Sequence, residues 1–191
     1  MQHIACGISR DEAVELLERY IPQENLRNHC RATEAIMRSL ARRFGEDEDL
    51  WGIAGLLHDL DYHETRDAME RHGLVTEAIL RERGVCEPII QAIKAHNAAN
   101  LGMQRTQRFE HALTAAECIT GLIVATALVY PDKKLASVKP RSVVKRMKQK
   151  EFARAVNRDH IRECECIGIP LEEFAALSLA AMCAISERLG L

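Results

Sequence analysis

The stretch that most constrains the fold is an apolar run over residues 50–57, which ends directly in the pair His58-Asp59. Leu50, Ile53 and Leu57 recur with the 3.6-residue period of an α-helix, which predicts a helix that lies in the core. A histidine and a carboxylate at the end of a buried helix must be paired or bind a ligand, because burying them without partners costs free energy. Other polar groups of the chain, or a bound species, must therefore reach this point.

The same periodicity predicts helices along the rest of the chain. An N-terminal helix over residues 11–20 begins at a Ser9 cap, with Glu12 three residues later, and stops before Pro22. Further helices are predicted over residues 24–44, 46–59, 71–84, 88–96, 110–129, 157–166 and 170–189, with irregular polar segments at 61–70 and 97–108. No convincing strand or internal repeat is present. We therefore predict an all-α protein in which residues 1–191 form a single domain, with the helix at 110–129 at its centre.

Composition and charge exclude several classes of protein. The 191 residues are 47% hydrophobic and 28% charged, which is typical of a soluble globular protein. A net charge of −2 argues against a nucleic-acid binder, and the basic segment at 133–158 lacks interleaved aromatic residues for base stacking. No N-terminal signal is recognisable, and the apolar run at 118–130 is too short to cross a bilayer, so we expect no membrane contact and a cytosolic location. The seven scattered cysteines include no CxxC pair and are expected to be reduced.

Potential metal ligands are spread over five of the predicted helices or their ends, and each lies in or beside an apolar stretch. One buried histidine is usually a core residue bonded to a carbonyl group. For four such histidines this explanation must be invoked four times independently, which favours one shared role. Helical bundles hold metals with inward-pointing histidines and carboxylates on facing helices. Such ligands suit Zn, Fe, Mn or Ni. The candidate ligands are His29, His58, Asp59, His72, His96 and Glu117.

These residues carry a resemblance to the HD-domain superfamily of metal-dependent phosphohydrolases, whose pattern is His … His-Asp … Asp. The order His29, His58-Asp59, Glu117 is similar to that pattern. The chain also resembles a bacterial group of predicted HD hydrolases over residues 25–185, through segments 56–62, 72–73, 93–97, 120–123, 137–140 and 168–171. The resemblance implies a single HD-domain helical bundle with the metal site in its core.

The resemblance implies that His29, His58, Asp59 and Glu117 bind a first metal ion. The chain departs from the family at residue 117, which is Glu where the family commonly has Asp. Because Glu is one methylene longer, three possibilities stay open for Glu117: direct binding, binding through a water molecule, and no binding.

A second ion is also implied. His72 and His96 match the subset of HD proteins that hold two ions, with Asp59 bridging them. We therefore expect one or two divalent transition-metal ions, of Fe, Mn, Zn, Ni or Co.

The implied activity is that of a phosphomonoesterase or phosphodiesterase acting on a nucleotide or another small phosphorylated metabolite. Paired divalent ions activate a water molecule as nucleophile and neutralise charge on the displaced oxygens. Catalytic roles are expected for His58, Asp59, Asp61 and Lys94. Asp61 would orient a water molecule or a histidine N–H group, or else only cap the turn that follows the His-Asp pair.

Cations are expected near the phosphoryl oxygens of such a substrate. Besides Lys94, the candidates for substrate binding are Lys139, Ser142 and Lys145 in the basic segment. The alternative for that segment is a solvated basic helix without a role in binding. The remaining histidines lie in polar surroundings and are expected at the surface: His3, His63, His111 and His160.

Two other functional classes stay open. Some HD relatives with the same six ligands are di-iron oxygenases that cleave C–C or C–P bonds with O₂. A non-catalytic module that binds a metal or ligand is the other alternative, and Glu117 at the Asp position favours it slightly. A homodimer is possible, but no sequence feature identifies its interface.

Overall fold

The computed structural model describes residues 6–191, and this part of the chain is helical with no strand. A short 3₁₀ turn, Leu135–Ser137, lies between the eighth and ninth helices. The all-α prediction is confirmed. The helices are α1 (Arg10–Tyr20), α2 (Glu24–Phe44), α3 (Glu48–Leu57), α4 (Tyr62–Thr65), α5 (Leu74–Glu82), α6 (Glu87–His96), α7 (Ala98–Leu101), α8 (Arg108–Leu128), α9 (Pro140–Met147), α10 (Arg158–Cys166), α11 (Leu171–Cys183) and α12 (Ser186–Leu189).

Helix boundaries follow the local signals where those signals are strong. The Ser9 hydroxyl accepts from the Glu12 N–H while the Glu12 carboxylate accepts from the Ser9 N–H, which completes the predicted capping box of α1. Gly45, with φ 69°, ends α2 in the left-handed conformation that glycine adopts readily. Gly73, with φ 87°, delays the start of α5 to Leu74, three residues after the predicted start.

Two predictions of irregular structure were wrong in detail. The segment 61–70 contains the single-turn helix α4, and the segment 97–108 contains α7. A single turn is too short to display a helical period, so the hydrophobic pattern could not reveal it. The predicted helix at 170–189 is instead divided into α11 and α12, with a break at residues 184–185.

Helices α2 and α3 pack together unusually closely, because two glycines of α3 face α2. A Cβ atom on Gly55 would lie 2.9 Å from the Glu34 backbone nitrogen, and one on Gly52 would meet the Arg38 side chain at 2.7 Å. This close approach brings the first turns of α2 to the C-terminal end of α3.

Helix α8 is the central helix, as predicted, and contacts α2, α3, α6, α9, α10 and α11. Leu113, Ile119 and Ile123 are fully buried on it. By length and composition alone α8 could span a membrane, as could α10 and α11 together if the pair, bent by 105°, were one span; no other described segment could. The apolar window of α8 is 67% buried inside the protein, which is the environment of a core helix.

All seven cysteines lie in the described part of the chain and are free thiols. Cys30, Cys118 and Cys164 are buried, in agreement with the prediction of reduced side chains packed in the core.

Candidate metal centre

Four histidines from four separate parts of the chain surround the carboxylate of Asp59. His29 lies on α2, His58 follows the last residue of α3, His72 precedes α5 and His96 ends α6. Asp59 Oδ2 is 3.6 Å from Nε2 of both His29 and His58. Asp59 Oδ1 is 3.3 Å from His72 Nε2 and 3.7 Å from His96 Nε2. Each carboxylate oxygen therefore faces its own pair of imidazoles.

Within each pair the two Nε2 atoms are almost in contact. His29 Nε2 lies 3.1 Å from His58 Nε2, and His72 Nε2 lies 2.9 Å from His96 Nε2. Whether these atoms carry protons depends on the bonds made by the opposite ring nitrogen, Nδ1, because a neutral imidazole has one N–H group and one lone pair.

The Nδ1 atoms of three histidines face groups that can only accept a hydrogen bond. His58 Nδ1 donates to the Gly55 carbonyl oxygen at 2.9 Å, and His96 Nδ1 donates to the Ile93 carbonyl oxygen. His72 Nδ1 donates to Asp61 Oδ1 at 2.7 Å. In the neutral form, each of these rings keeps its proton on Nδ1 and presents a lone pair on Nε2.

The fourth histidine reaches the same state through a hydroxyl group. His29 Nδ1 lies 2.8 Å from Thr120 Oγ1. The Thr120 hydroxyl donates its own proton to the Glu117 carbonyl oxygen at 2.6 Å, so its oxygen is left to accept from His29. All four Nε2 lone pairs therefore point to the two sides of the Asp59 carboxylate.

Two lone pairs at about 3 Å repel one another unless a proton or a metal ion lies between them, and imidazole with carboxylate is a donor set that binds divalent transition metals. The residues thus fit one ion beside His29 and His58 and another beside His72 and His96. Asp59 contributes one oxygen to each side. The hydrogen bonds from Nδ1 fix the ring orientations in the way usual for metal-binding histidines.

Glu117 lies on α8, next to the first of these positions. One of its carboxylate oxygens and a ring nitrogen of each of His29 and His58 all lie within 4.8 Å of one another. The Cys118 thiol donates to Glu117 Oε1 at 2.8 Å. Burial, and then the charge of Glu117, raises the pKa of Cys118, so this thiol keeps its proton. The carboxylate of Glu117 is therefore close enough to bind the first ion, although the side chain is one methylene longer than the Asp that is common in the family.

Asp61 orients a histidine, as predicted, but its side chain caps the start of α5 and not the turn that follows the His-Asp pair. Its side chain is 0% exposed, and Oδ1 accepts from His72. Oδ2 accepts from the backbone N–H groups of Gly73 at 2.8 Å and Thr76 at 2.9 Å, in the first turn of α5. Burial alone would raise the pKa of Asp61, but these hydrogen bonds outweigh it and lower the pKa. Asp61 is a positioning residue, because it holds His72 and does not line the cavity beside the metal centre.

Burial and neighbouring charges give the buried histidines different protonation states at pH 7. Burial lowers the pKa of His58 to about 3, so that its ring is neutral at pH 7. Burial also acts to lower the pKa of His72, but hydrogen bonds to Asp59 and Asp61 outweigh it and raise the pKa to about 9. Burial would raise the pKa of Asp59, but the imidazoles that surround it, those of His58, His72 and His96, hold it well below the ordinary value. Without a metal ion, His72 carries the positive charge that balances these carboxylates.

A cavity of about 430 Å³ opens onto the metal centre, and part of its wall comes from loops and from the start of α10. Within the described residues no lysine or arginine lines it. Its wall, besides the ligands, includes Tyr62, Met69, Asn97, Asn100, Asn157 and His160.

The structure does not bring the predicted cationic and hydroxyl groups to this cavity. Lys94 Nζ forms an ion pair with Glu77 Oε2 at 3.0 Å. Lys139 and Lys145 are exposed at the start and on the surface of α9, and Ser142 Oγ lies 3.1 Å from the Tyr130 hydroxyl. None of these four predicted residues lines the cavity.

The surface prediction for His160 was wrong. His160 is partly buried on α10, lines the cavity and places Nδ1 3.8 Å from Cys118 Sγ. The sequence carried a signal for this position, since His160 stands four residues before the buried Cys164 and so shares its helix face. His111 is also partly buried, with Nδ1 2.9 Å from Glu163 Oε2, whereas His63 is exposed as predicted. His3 lies outside the described residues.

Asn97 is a further positioning residue, which the sequence analysis did not identify. Its side-chain amide donates to the carbonyl oxygens of Met69 at 2.7 Å and His72 at 2.9 Å. Asn97 directly follows His96, so this amide ties the segment that carries His72 to the end of α6. The two histidines of the second pair are thereby held together.

Comparison with known proteins agrees with this geometry. No solved structure matches the chain. The family model of the HD domain matches residues 26–127, which is more than half of the chain and includes all six candidate ligands. Families of this kind are metal-dependent hydrolases, and the centre around Asp59 is a site of the corresponding type. The chain belongs to the HD-domain family.

Proposed function

We propose that this protein is a metal-dependent phosphohydrolase, a phosphomonoesterase or phosphodiesterase that acts on a small phosphorylated metabolite. The observation that carries the proposal is the convergence of four histidine Nε2 atoms on the two oxygens of one buried carboxylate. His29, His58, Asp59 and Glu117 would hold one ion, and Asp59, His72 and His96 the other. Divalent ions bound there supply an acidified water molecule and positive charge for phosphoryl oxygens.

The protein contributes orientation and hydrogen bonding. Asp61 and Thr120 keep the rings of His72 and His29 in the tautomer that presents Nε2 to the centre. The Asn157 side-chain oxygen accepts from the backbone N–H groups of Asp159 and His160, which leaves its amide N–H groups to donate into the cavity. With no lysine or arginine in the described cavity wall, neutral donors such as Asn157 and the Tyr62 hydroxyl would orient the phosphoryl group.

The first test is metal content. We expect the purified protein to hold about two equivalents of transition metal and the variants His72→Ala and His96→Ala to fall toward one. His63→Ala is the matched control, because His63 is exposed and does not line the metal-centre cavity. Full metal content in both core variants would show that the second ion is wrongly assigned.

The second test is turnover. Protein loaded with Mn²⁺ or Co²⁺ is assayed with a panel of phosphate mono- and diesters, beside Asp59→Asn and the control Asp67→Asn, whose side chain is 91% exposed. We expect hydrolysis in the wild type and the control and its loss in Asp59→Asn. Oxygen consumption by iron-loaded protein without phosphate release would instead identify an oxygenase. Metal binding without either reaction would identify a binding module, and activity gained in Glu117→Asp would point to a degenerate hydrolase.

The partner is then a small phosphorylated substrate. We also propose that the protein works in the cytosol without nucleic acid or membrane, and a homodimer stays a prediction. Sedimentation of the metal-loaded protein over a range of concentrations measures the oligomeric state directly.

A further inference from the structure

A second hollow adjoins the metal-centre cavity, between α2, α8 and the last residues of the chain. It is a groove of about 470 Å³, within the range of small-molecule sites. His29 and Gly121 line both hollows, so the groove begins where the metal centre ends. Small residues provide the space: Ala32 on α2 and Ala125 on α8, which stands one turn after Gly121.

Apart from Asn25 and Asn28 on α2, and from His29 and Thr120 near the metal centre, the residues that line the groove are apolar or glycine. Val124, Ala125, Leu128, Leu189 and Leu191 form its far part. Within the described chain, no Asp, Glu, Lys or Arg lines it. A polyphosphate or a second charged group would find no charged side chain there. An apolar group entering the groove would leave water at a gain of about 0.8 kcal/mol per buried methylene.

The outer end of the groove is exposed to an unusual degree for apolar side chains. Leu128, which lines it, is 50% exposed, and the neighbouring Val129 is 55% exposed. These two are the most exposed large apolar side chains among the described residues. From Thr120 to Leu128 the groove follows α8 for roughly 12 Å, given the rise of an α-helix. Exposed apolar surface leading away from a polar centre marks a binding surface.

We propose that the groove binds the apolar part of the substrate, so that the enzyme hydrolyses phosphate esters of apolar alcohols. The proposal rests on the phosphohydrolase function proposed above and names its substrate class. The phosphoryl group would lie at the metal centre, with the carbon chain passing His29 and Gly121 into the groove. The reaction breaks the ester P–O bond by addition of water and releases the alcohol and inorganic phosphate.

The test is a series of n-alkyl phosphates from ethyl to hexyl, whose alcohols are similar leaving groups, with Mn²⁺-loaded protein. We expect kcat/KM to rise about two- to fourfold per methylene, and so by at least about tenfold across the series. Ala125→Phe fills the groove and should bring the ratio of hexyl to ethyl phosphate close to one. Ala176→Phe, the same change at an exposed position on α11 that lines neither hollow, should keep the wild-type ratio.

A second variant keeps the test informative if Ala125→Phe does not fold. Val124→Thr keeps the shape of the side chain but replaces one methyl group with a hydroxyl group. It should lower the ratio of kcat/KM for hexyl phosphate to that for ethyl phosphate about threefold. Thermal unfolding of each variant checks that it is folded. Hydrolysis with no dependence on chain length would overturn the groove proposal while leaving the phosphohydrolase function in place. If chain length had no effect and the wild type were a dimer that Ala125→Phe dissociates, the groove would instead be a contact with a second copy of the chain.

If no ester is hydrolysed, binding measurements test the groove independently of the proposed reaction. Calorimetric titration of Mn²⁺-loaded protein with n-hexylphosphonate and ethylphosphonate needs no turnover. Tighter binding of the hexyl compound by about tenfold, abolished by Ala125→Phe, would support the groove and show that the reaction is wrongly assigned. Equal binding, or no binding, would overturn the groove.

Discussion

Asp59 offers one oxygen to each of two imidazole pairs, and every imidazole is held from behind by a group that accepts its Nδ1 proton. Two of these acceptors, the Gly55 and Ile93 carbonyl oxygens, lie three residues before the histidine that they hold. The others, Asp61 and Thr120, are side chains brought in from elsewhere. The ligand types and the bond from a histidine to Asp61 could be predicted from the sequence, but the other acceptors could not, because a carbonyl oxygen leaves no mark in a residue pattern and the Thr120 hydroxyl is brought in by packing of α8.

Asp61→Asn tests the orientation of His72. An asparagine has one oxygen acceptor where Asp61 has two, so either His72 or the first turn of α5 loses its partner. We expect metal affinity to fall about 10- to 100-fold, as for other residues that hold a metal-binding histidine. Competition with a chromophoric chelator measures the affinity. Asp67→Asn is the control, and equal affinity in both variants would rule out the positioning role.

The pKa of His72 predicts how metal binding depends on pH. With its pKa raised to about 9, this ring is protonated in the metal-free protein at pH 7, and an ion can bind only when the Nε2 proton leaves. We therefore expect release of about one proton per ion at the second position, and affinity that rises with pH until about pH 9. Calorimetry in buffers of different ionisation enthalpy counts the protons. His72→Ala should abolish the release, and a wild type that releases none would contradict the assignment.

Among the helices, α3 depends most on its neighbour, because its glycines let it approach α2 closely. The long periodic helices, such as α2 over residues 24–44, could be predicted with correct ends. The single turns α4 and α7 could not, since their structure is set by contacts and by the bonds that end adjacent elements. His160 was misplaced for a similar reason: its burial comes from packing of α10 against α8 and not from its polar sequence neighbours.

Gly55→Ala tests the close packing of α2 and α3. The added Cβ would meet α2 backbone atoms at 2.9–3.0 Å, so the helices must separate. We expect the free energy of unfolding to fall by about 1–3 kcal/mol, and metal affinity to fall with it, because His58 and His29 move apart. Chemical denaturation and metal titration measure the two effects.

Gly52→Ala provides the comparison for that experiment. Its Cβ would meet only the side chain of Arg38, which is partly exposed and can move. Alanine also favours a helix over glycine by up to about 1 kcal/mol. The loss should therefore be smaller, and equal stability of Gly55→Ala and wild type would contradict the packing argument.

At the scale of the whole molecule, α8 lies between the other long helices and supplies both Glu117 and the wall of the groove. The N-terminal helix α1 is fastened to α2 by Glu34, whose side chain is 6% exposed and accepts from Arg10 at 2.6 Å and from Arg38 at 3.0 Å. Residues 155–157, at the end of the basic segment, line the metal-centre cavity, but α9 with Lys139 and Lys145 does not. The positive charge of α9 could be predicted from the sequence. The direction that α9 faces depends on packing between distant helices, which local sequence patterns do not record.

Removal of metal should destabilise the entire fold, because only the folded chain assembles the ligands. At a free ion concentration a thousandfold above the dissociation constant, binding adds about 4 kcal/mol to the free energy of unfolding. For a chain of this length that corresponds to a fall in Tm of about 8–16 °C when a chelator is added. Scanning calorimetry with and without chelator measures it. Asp59→Asn should show no such difference, and an unchanged wild-type Tm would contradict an ion bound in the core.

The ligands are drawn from residues 29 to 117, and this spacing has a consequence for how the native protein opens. No ligand-bearing helix can fray or swing outward without breaking a bond to an ion that also binds two other segments. In the loaded protein, the backbone amides of α2, α6 and α8 should therefore exchange with deuterium as one cooperative unit. Stripped of its ions, the same chain should exchange segment by segment, with the stretch around His72 opening first because side-chain bonds from Asp61, Thr65 and Asn97 then hold His72 without the help of an ion.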